Sequence, residues 1–303
     1  MPTARRRRAA VALALAAAGG ACAAPGAGSP PASPPPSSAG SSAGPSAGPS
    51  AGPSASAAPS TPERAPGPAY STYPLGTRPL PLRDDGFGQV LPTPRTLRER
   101  RYPTRDLLPP PADGRFAATV GPVTPATAER MGATWSPGCP VALADLRYLT
   151  LTFRGFDGAA HTGELVVAAG EARDVVGVFR TLFRADFPIE EMRLPGTADL
   201  EAAPTGDGNN TAGLVCRAAR GQTRWSAHAY GLAIDLNPFQ NPYTSGDLVL
   251  PELASAYLDR DRVRPGMVQP GDVAVRAFAR IGWSWGGAWQ SLQDYQHFSA
   301  LDR

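Results

Sequence analysis

Lysine is absent from this chain of 303 residues, and all 29 of its basic residues are arginine. Penicillin-binding serine carboxypeptidases need a lysine in their Ser-x-x-Lys and Lys-Thr-Gly motifs. The phosphate-binding loop of P-loop proteins needs one as well. The sequence therefore excludes both classes.

An excess of charge of one sign is also lacking. Four of the 29 arginines stand together at positions 5–8, and the remaining 25 nearly balance the 26 acidic residues. Proteins that bind nucleic acid concentrate positive charge on one surface. We therefore expect no nucleic-acid partner.

Long apolar runs are missing too, and the longest candidate is near the start. Arg5–Arg8 and the apolar run Ala9–Ala21 together resemble an export signal, and 13 apolar residues are too few for a membrane-spanning helix. Residues 1–21 are therefore predicted to be a signal peptide. Cys22 follows Gly19-Gly20-Ala21, which leaves two outcomes open: lipidation of Cys22, which would attach the chain to a membrane, or simple secretion.

Cysteine is scarce, because only Cys139 and Cys216 remain after Cys22. An even pair in an oxidising compartment is typical of a disulfide. The prediction is a bridge from the start of the folded domain to the predicted strand Gly213–Arg217. The alternative is that Cys216 is a nucleophile of the L,D-transpeptidase type. Against it, Gly213-Leu214-Val215 stands where that class has Ser-His-Gly.

Composition divides the chain into four regions. Residues 22–68 are almost entirely Pro, Ser, Ala and Gly, which predicts a disordered tether that carries the domain away from the membrane or acts only as a soluble linker. Residues 69–115 are rich in Arg and Pro and are predicted to be irregular, with some of them wrapped on the domain. Residues 116–303 are long enough for one core.

Periodicity in residues 116–303 predicts an α+β fold, a small antiparallel sheet flanked by helices. Two alternating segments separated by Asp157-Gly158 predict a hairpin, and two segments with three- and four-residue apolar spacing predict helices. Pro188 is expected to end the first helix. The predicted strands are Asp145–Phe153 and Thr162–Ala168, and the predicted helices are Ala172–Phe187 and Val273–Ile281.

Histidine occurs only three times, at 161, 228 and 297. Two of these histidines lie in short segments with a carboxylate close by, Ser226–Asp235 and Asp294–Phe298. Two imidazoles, one carboxylate and a water form the ligand set of a catalytic zinc site. The alternation of Leu232, Ile234 and Leu236 predicts a strand that turns Asp235 away from the core. His161 has no ligand partner at a recognisable spacing, so it is predicted to be a hydrogen-bonded structural histidine.

The pattern Ser-x-His-x-x-Gly-x-Ala-x-Asp, followed downstream by Asp-x-x-His-Phe, resembles the M15 zinc peptidases. These include D-alanyl-D-alanine carboxypeptidases and dipeptidases of the vancomycin-resistance type, and phage L-alanyl-D-glutamate endolysins. The resemblance covers roughly the last two-fifths of the chain. It implies a zinc peptidase domain at 116–303, with Zn²⁺ in a cleft and held by His228, Asp235 and His297.

The resemblance also implies roles for three further residues. Asp294 would be the general base, although a carboxylate that orients a histidine is the alternative. A strand does not bring residues three apart to one side, so a turn or bulge between Asp294 and His297 is required. Glycines 286 and 287 lie too early to supply it. Arg217 would hold substrate charge and stabilise the oxyanion. Ser226 would bind the substrate backbone or cap the turn before His228.

The sequence thus predicts an exported, monomeric zinc metallopeptidase that acts on peptidoglycan stem peptides, with the D-alanyl-D-alanine carboxypeptidase favoured by the resemblance. Three alternatives stay open: an L-alanyl-D-glutamate endopeptidase with the same site, a non-catalytic wall-binding lipoprotein, and a hydrolase of other peptides. Trp283, Trp285 and Trp289 would either line a peptide groove or belong to the core.

Overall fold

The computed structural model describes residues 70–301. The predicted signal peptide, Cys22 and the predicted linker at 22–68 lie outside the described residues. Within them the order of elements is mixed, as expected for an α+β protein. The helices are α1 (Pro125–Met131), α2 (Ala172–Arg184), α3 (Thr197–Glu201) and α4 (Val273–Arg280). The strands are β1 (Ala118–Pro122), β2 (Leu146–Arg154), β3 (Ala160–Ala168), β4 (Ala233–Asp235), β5 (Tyr243–Ser245), β6 (Leu248–Leu250), β7 (Ser284–Trp285), β8 (Gln293–Asp294) and β9 (His297–Ser299).

The predicted hairpin is confirmed as β2 and β3, which pair antiparallel, with β1 added at the outer edge of β2. Helix α2 packs on this sheet because Val175, Phe179 and Leu182, at three- and four-residue spacing, are at most 1% exposed. Helix α4 packs beside α2, and their apolar residues share one core with the sheet.

Helix α2 ends at Arg184, so the predicted end at Phe187 is wrong by three residues. The cause is a Schellman turn, in which Asp186 has the left-handed φ of 51° and Phe187 N donates to Leu182 O. Pro188 follows this turn and does not itself end the helix.

The strands of residues 70–301 form three small antiparallel sheets, where the sequence predicted one. The second sheet has the order β4-β9-β7 and the third β6-β5-β8. The predicted strand Gly213–Arg217 is also wrong, because this segment is irregular. Its amides bond in turn to three different partners, Val166 O, His228 O and Thr134 O, so no ladder forms.

Residues 70–115, called the strap below, are irregular except for one 3₁₀ turn at Arg95–Leu97. Leu97 is fully buried in a second apolar cluster with Phe239 and Tyr257. Arg100 of the strap forms a buried ion pair with Glu190. The strap therefore contributes to the packed interior. None of the helices in residues 70–301 is long and apolar enough to cross a membrane.

Candidate metal centre

Asp235 and His297 lie directly opposite each other on the antiparallel strands β4 and β9. The neighbouring pair on the same strands is Ile234 and Phe298, both fully buried in the main core. Because successive side chains of a strand point to opposite sides, burial of Ile234 and Phe298 turns Asp235 and His297 to the other side. The register of two short strands thus brings two donor groups together.

His228 lies in a 3₁₀ turn, Ala227–Tyr230, just before β4. Ser226 caps this turn by accepting a hydrogen bond from His228 N at 3.4 Å. Gly231 ends the turn with a φ of +68°, and a Cβ there would lie 2.6 Å from Ala168 N. Only glycine allows this approach to β3, so Gly231 fixes the position of His228 relative to the sheet.

Three potential ligand atoms converge at this point. The distances His228 Nε2 to His297 Nδ1, His228 Nε2 to Asp235 Oδ1, and His297 Nδ1 to Asp235 Oδ1 are each 3.2 Å. Around a tetrahedral zinc with ligands at about 2.0 Å, neighbouring ligand atoms lie roughly 3.3 Å apart. The three atoms therefore have the spacing of one triangular face of such a site, and the donor set fits a divalent metal ion.

Hydrogen bonding orients the first ligand. His228 Nδ1 lies 2.7 Å from Gly213 O, so Nδ1 carries the proton and Nε2 presents its lone pair to the centre. Burial raises the pKa of Asp235, but His228 and His297 outweigh it and hold this pKa well below its usual range. Asp235 is therefore an ionised carboxylate, as a metal ligand must be.

Asp294 ends β8, and a two-residue turn at Tyr295-Gln296 separates it from His297 at the start of β9. This turn supplies the change of direction that the sequence required. Gly286 lies against it, since a Cβ on Gly286 would meet Asp294 O at 2.7 Å and His297 Cβ at 3.3 Å. The glycine is thus too early to form the turn, as predicted, but its missing side chain leaves room for it.

Asp294 differs electrostatically from Asp235. Burial and the nearby charge of Asp235 raise the pKa of Asp294 to about 6. Its Oδ1 is buried and has no hydrogen-bond partner among residues 70–301. A carboxylate with a pKa near neutrality and an uncommitted oxygen is suited to accept a proton.

A pocket of about 500 Å³ opens beside the three ligand atoms. Arg217, Ser226 and Asp294 all line it, together with His228 and His297. Burial and Arg220 lower the pKa of Arg217, and this is opposed by Asp235 and Asp294. The structure thus brings the sequence-predicted site residues to one place.

The three tryptophans divide between the two predicted roles. Trp283 and Trp285 are 3% and 8% exposed and belong to the core. Trp289 lines the pocket, with its ring centroid 5.5 Å from that of His297.

His161 lies outside this centre. Its Nδ1 contacts Asp106 Oδ1 at 2.8 Å and its Nε2 contacts Asp157 Oδ1 at 3.1 Å. The prediction of a hydrogen-bonded structural histidine is confirmed.

The predicted disulfide is confirmed between Cys139 and Cys216. It fixes the residue before Arg217 to the loop after α1. With Cys216 in a disulfide, no free thiol is left at this position for the transpeptidase alternative.

The sequence did not assign a role to two pocket residues, Arg220 and Tyr243. Tyr243 lies directly across from Asp294 in the third sheet. Its signal was absent because the pairing joins positions 51 residues apart through strands of two and three residues. Arg220 stood among several arginines of the same segment, and sequence alone gives no reason to prefer one of them.

An α+β domain with a His/Asp/His ligand set and an adjacent acidic group is built like a metal-dependent hydrolase. Residues 220–300 match the family model described as D-alanyl-D-alanine carboxypeptidase, one of the M15 peptidases. The chain thus belongs to the M15 peptidase family. The matched residues include His228, Asp235, Asp294 and His297 and leave out Arg217. No curated protein and no solved structure matches the chain.

Proposed function

We propose that the protein is an exported zinc metallopeptidase that hydrolyses peptidoglycan stem peptides as a D-alanyl-D-alanine carboxypeptidase. The observation that carries this proposal is the 3.2 Å triangle of His228 Nε2, Asp235 Oδ1 and His297 Nδ1 in the same pocket as Asp294. The family match supports the peptidase class.

His228, Asp235 and His297 would hold the Zn²⁺ ion, and its donor set of two imidazoles and one carboxylate is that of catalytic zinc hydrolases. When bound, the ion supplies Lewis-acid chemistry that polarises the scissile carbonyl and lowers the pKa of water to about 7.

Asp294 acts as the general base. Its carboxylate takes the proton of the attacking water and then delivers it to the leaving amine, so that one group serves both halves of the reaction. A pKa of about 6 suits this exchange, because the carboxylate is mostly ionised at neutral pH and yet basic enough to hold a proton briefly.

Arg217 stabilises the negative charge that develops on the carbonyl oxygen. Its guanidinium lines the pocket, forms no ion pair within residues 70–301, and has its donors arranged in a rigid fork. Ser226 caps the turn that carries His228, and its position on the pocket wall lets the same hydroxyl contact the substrate backbone.

The site of action follows from the proposed substrate. We propose that the chain works as a monomer in the cell envelope, either secreted or attached to the membrane through a lipidated Cys22. The tether at 22–68 would then give the domain reach into the wall.

The test is a mass-spectrometric digest of muropeptides with the zinc-loaded chain from Ala23 onward. Parallel samples carry a chelator, Asp294→Asn, or the control Asp261→Asn, which changes an exposed aspartate outside the pocket. We expect loss of a single D-Ala from pentapeptide stems. The chelator should abolish it, Asp294→Asn should slow it roughly 10²- to 10⁴-fold, and Asp261→Asn should leave it unchanged.

Other outcomes would change the proposal in defined ways. Cleavage between L-Ala and D-Glu would keep the mechanism and assign an endopeptidase. Activity that survives chelation would refute the zinc site. A chain that binds one zinc ion and yields no product would be the wall-binding protein instead.

A further inference from the structure

Arg220 is an exposed residue in the loop that joins Arg217 to Ser226. It lines the pocket beside the candidate metal ligands and also the neighbouring pocket that contains Glu252 and Gln296. Within residues 70–301 no carboxylate forms an ion pair with it. Its charge is therefore available to a ligand at the boundary of the two pockets.

Two aromatic rings fix the position of this guanidinium. Arg220 Cζ lies 5.1 Å from the ring centroid of Tyr243 and 5.6 Å from that of Phe87. Both distances are within the range of a cation–π contact. Since Tyr243 pairs directly with Asp294 across the third sheet, the contact places Arg220 next to the proposed general base.

Phe87 reaches this place because its part of the strap is anchored on both sides. Arg83 binds Asp247 through two hydrogen bonds of 3.0 and 3.2 Å. The amide of Gly88 donates to the buried Glu252 Oε1 at 2.8 Å. The strap thus supplies one of the two rings that hold Arg220.

The charges around the pocket favour an anionic ligand. Arg217 and Arg220 both line it, and the acidic side chain among its lining residues is Asp294. A divalent metal ion on Asp235 and the two histidines would add further positive charge. A guanidinium presents paired N–H donors that match the two oxygens of a carboxylate.

We propose that Arg220, positioned by Phe87 and Tyr243, binds the C-terminal carboxylate of the peptide substrate and so selects substrates that end one residue beyond the cleaved bond. The inference rests on the proposed peptidase function and names the feature that would separate a carboxypeptidase from an endopeptidase. Arg217 would remain at the reacting carbonyl.

The experiment compares the binding of two probes, an N-acylated D-Ala-D-Ala peptide and the same peptide with a C-terminal carboxamide. Isothermal calorimetry is run on the zinc-loaded Asp294→Asn chain, so that turnover does not disturb the titration. We expect the carboxylate form to bind about 10-fold more tightly, which is the lower range for a hydrogen-bonded charge at an exposed site.

Variants then locate the preference. Arg220→Gln should reduce the ratio of the two affinities to about one, and Arg220→Lys should leave an intermediate ratio, because charge is kept and the fork is lost. Phe87→Ala should lower the ratio in the same direction and add little to Arg220→Gln. The control Arg280→Gln removes an exposed arginine at the end of α4 and should keep the ratio. Thermal unfolding of each variant verifies that it is folded.

Three results would overturn the proposal: equal binding of both probes by the parent chain, an unchanged ratio in Arg220→Gln, and binding of neither probe. Because the readout is binding, the outcome is independent of the digest. A preserved carboxylate preference in a chain without hydrolytic activity would support the Arg220 site and refute the proposed function alone.

Discussion

The substitution Arg100→Ala tests whether the strap is part of the folding unit. Arg100 and Glu190 have side chains only 1% and 7% exposed, and they are joined by hydrogen bonds of 2.9 and 2.6 Å. Arg100 also donates to Asp207 O at 2.8 Å and lies 4.4 Å from the Phe239 ring centroid. Removing the guanidinium leaves Glu190 as a buried charge without its partner.

Breaking a buried pair in this way costs about 3–5 kcal/mol of unfolding free energy. In a domain of about 230 residues each kcal/mol shifts the Tm by roughly 2–4 °C, so Arg100→Ala should lower the Tm by about 10 °C. Thermal unfolding followed by circular dichroism measures the shift. Adding Glu190→Gln should recover part of it, because the second change removes the unpaired charge.

Arg262→Ala is the matched control, since its ion pair with Glu99 is about 60% exposed on both sides. An exposed pair contributes about 0–1 kcal/mol, and its loss should move the Tm by only a few degrees. If Arg100→Ala were no more destabilising than Arg262→Ala, the strap would be a loosely attached segment. A folded domain starting at residue 116, the boundary predicted from composition, would then be favoured.

Three further outcomes follow from the structure. Replacing both Cys139 and Cys216 by serine should lower the unfolding free energy by about 4 kcal/mol on the loop-closure estimate for a separation of 77 residues, measured in urea; a loss below 1 kcal/mol would contradict it. Zinc at 100 times its Kd should add about 2.7 kcal/mol of stability, and His297→Ala should abolish this gain in a thermal shift assay. Burial raises the pKa of Glu164, but hydrogen bonds from Arg130 and Tyr148 outweigh it and lower this pKa. The stabilisation is therefore complete above pH about 4.5 and is lost as the pH falls through the folded-state pKa, so Glu164→Gln should flatten the acid limb of the urea midpoint against pH. Equal slopes for Glu164→Gln and the parent would contradict this assignment.

Features set by neighbouring residues could be predicted from the sequence. The alternation in β2 and β3 and the apolar spacing of α2 specify local structure, and Asp157-Gly158 specifies the turn between the strands. The residues of the candidate metal centre could be named for a different reason: their spacing matches a family motif. What the sequence could not show is that β4 and β9 pair in the register that puts Asp235 opposite His297.

The errors have a common physical origin in long-range contacts between short segments. Strands of two or three residues carry too little alternation to be recognised, so the second and third sheets were merged with the first. Gly213–Arg217 has strand-like composition, but its hydrogen bonds go to three separate elements. The strap has little periodicity, and its buried residues are identified only by partners such as Glu190 and Tyr257.

Gly286 offers a test of how tightly the candidate centre is built. An alanine Cβ there would lie 2.7 Å from Asp294 O, 3.0 Å from Asp294 Cβ and 3.3 Å from His297 Cβ. The nearest atom is backbone and cannot rotate away, so the turn at Tyr295-Gln296 must shift and carry Asp294 and His297 with it. A displacement of about 1 Å can cost a catalytic site 10²-fold in rate.

We therefore expect Gly286→Ala to lower kcat about 100-fold and to weaken zinc binding, with a smaller effect on the Tm than Arg100→Ala. Gly170→Ala is the control, because a Cβ at Gly170 meets nothing within 4 Å. Peptide hydrolysis and calorimetric zinc titration, measured on both variants, check the prediction. Activity and zinc affinity equal to those of the parent would show that the turn can move without disturbing the ligands. In that case the close packing on Gly286 would have a role in folding, and the geometry of the centre would be set by the β4–β9 pairing alone.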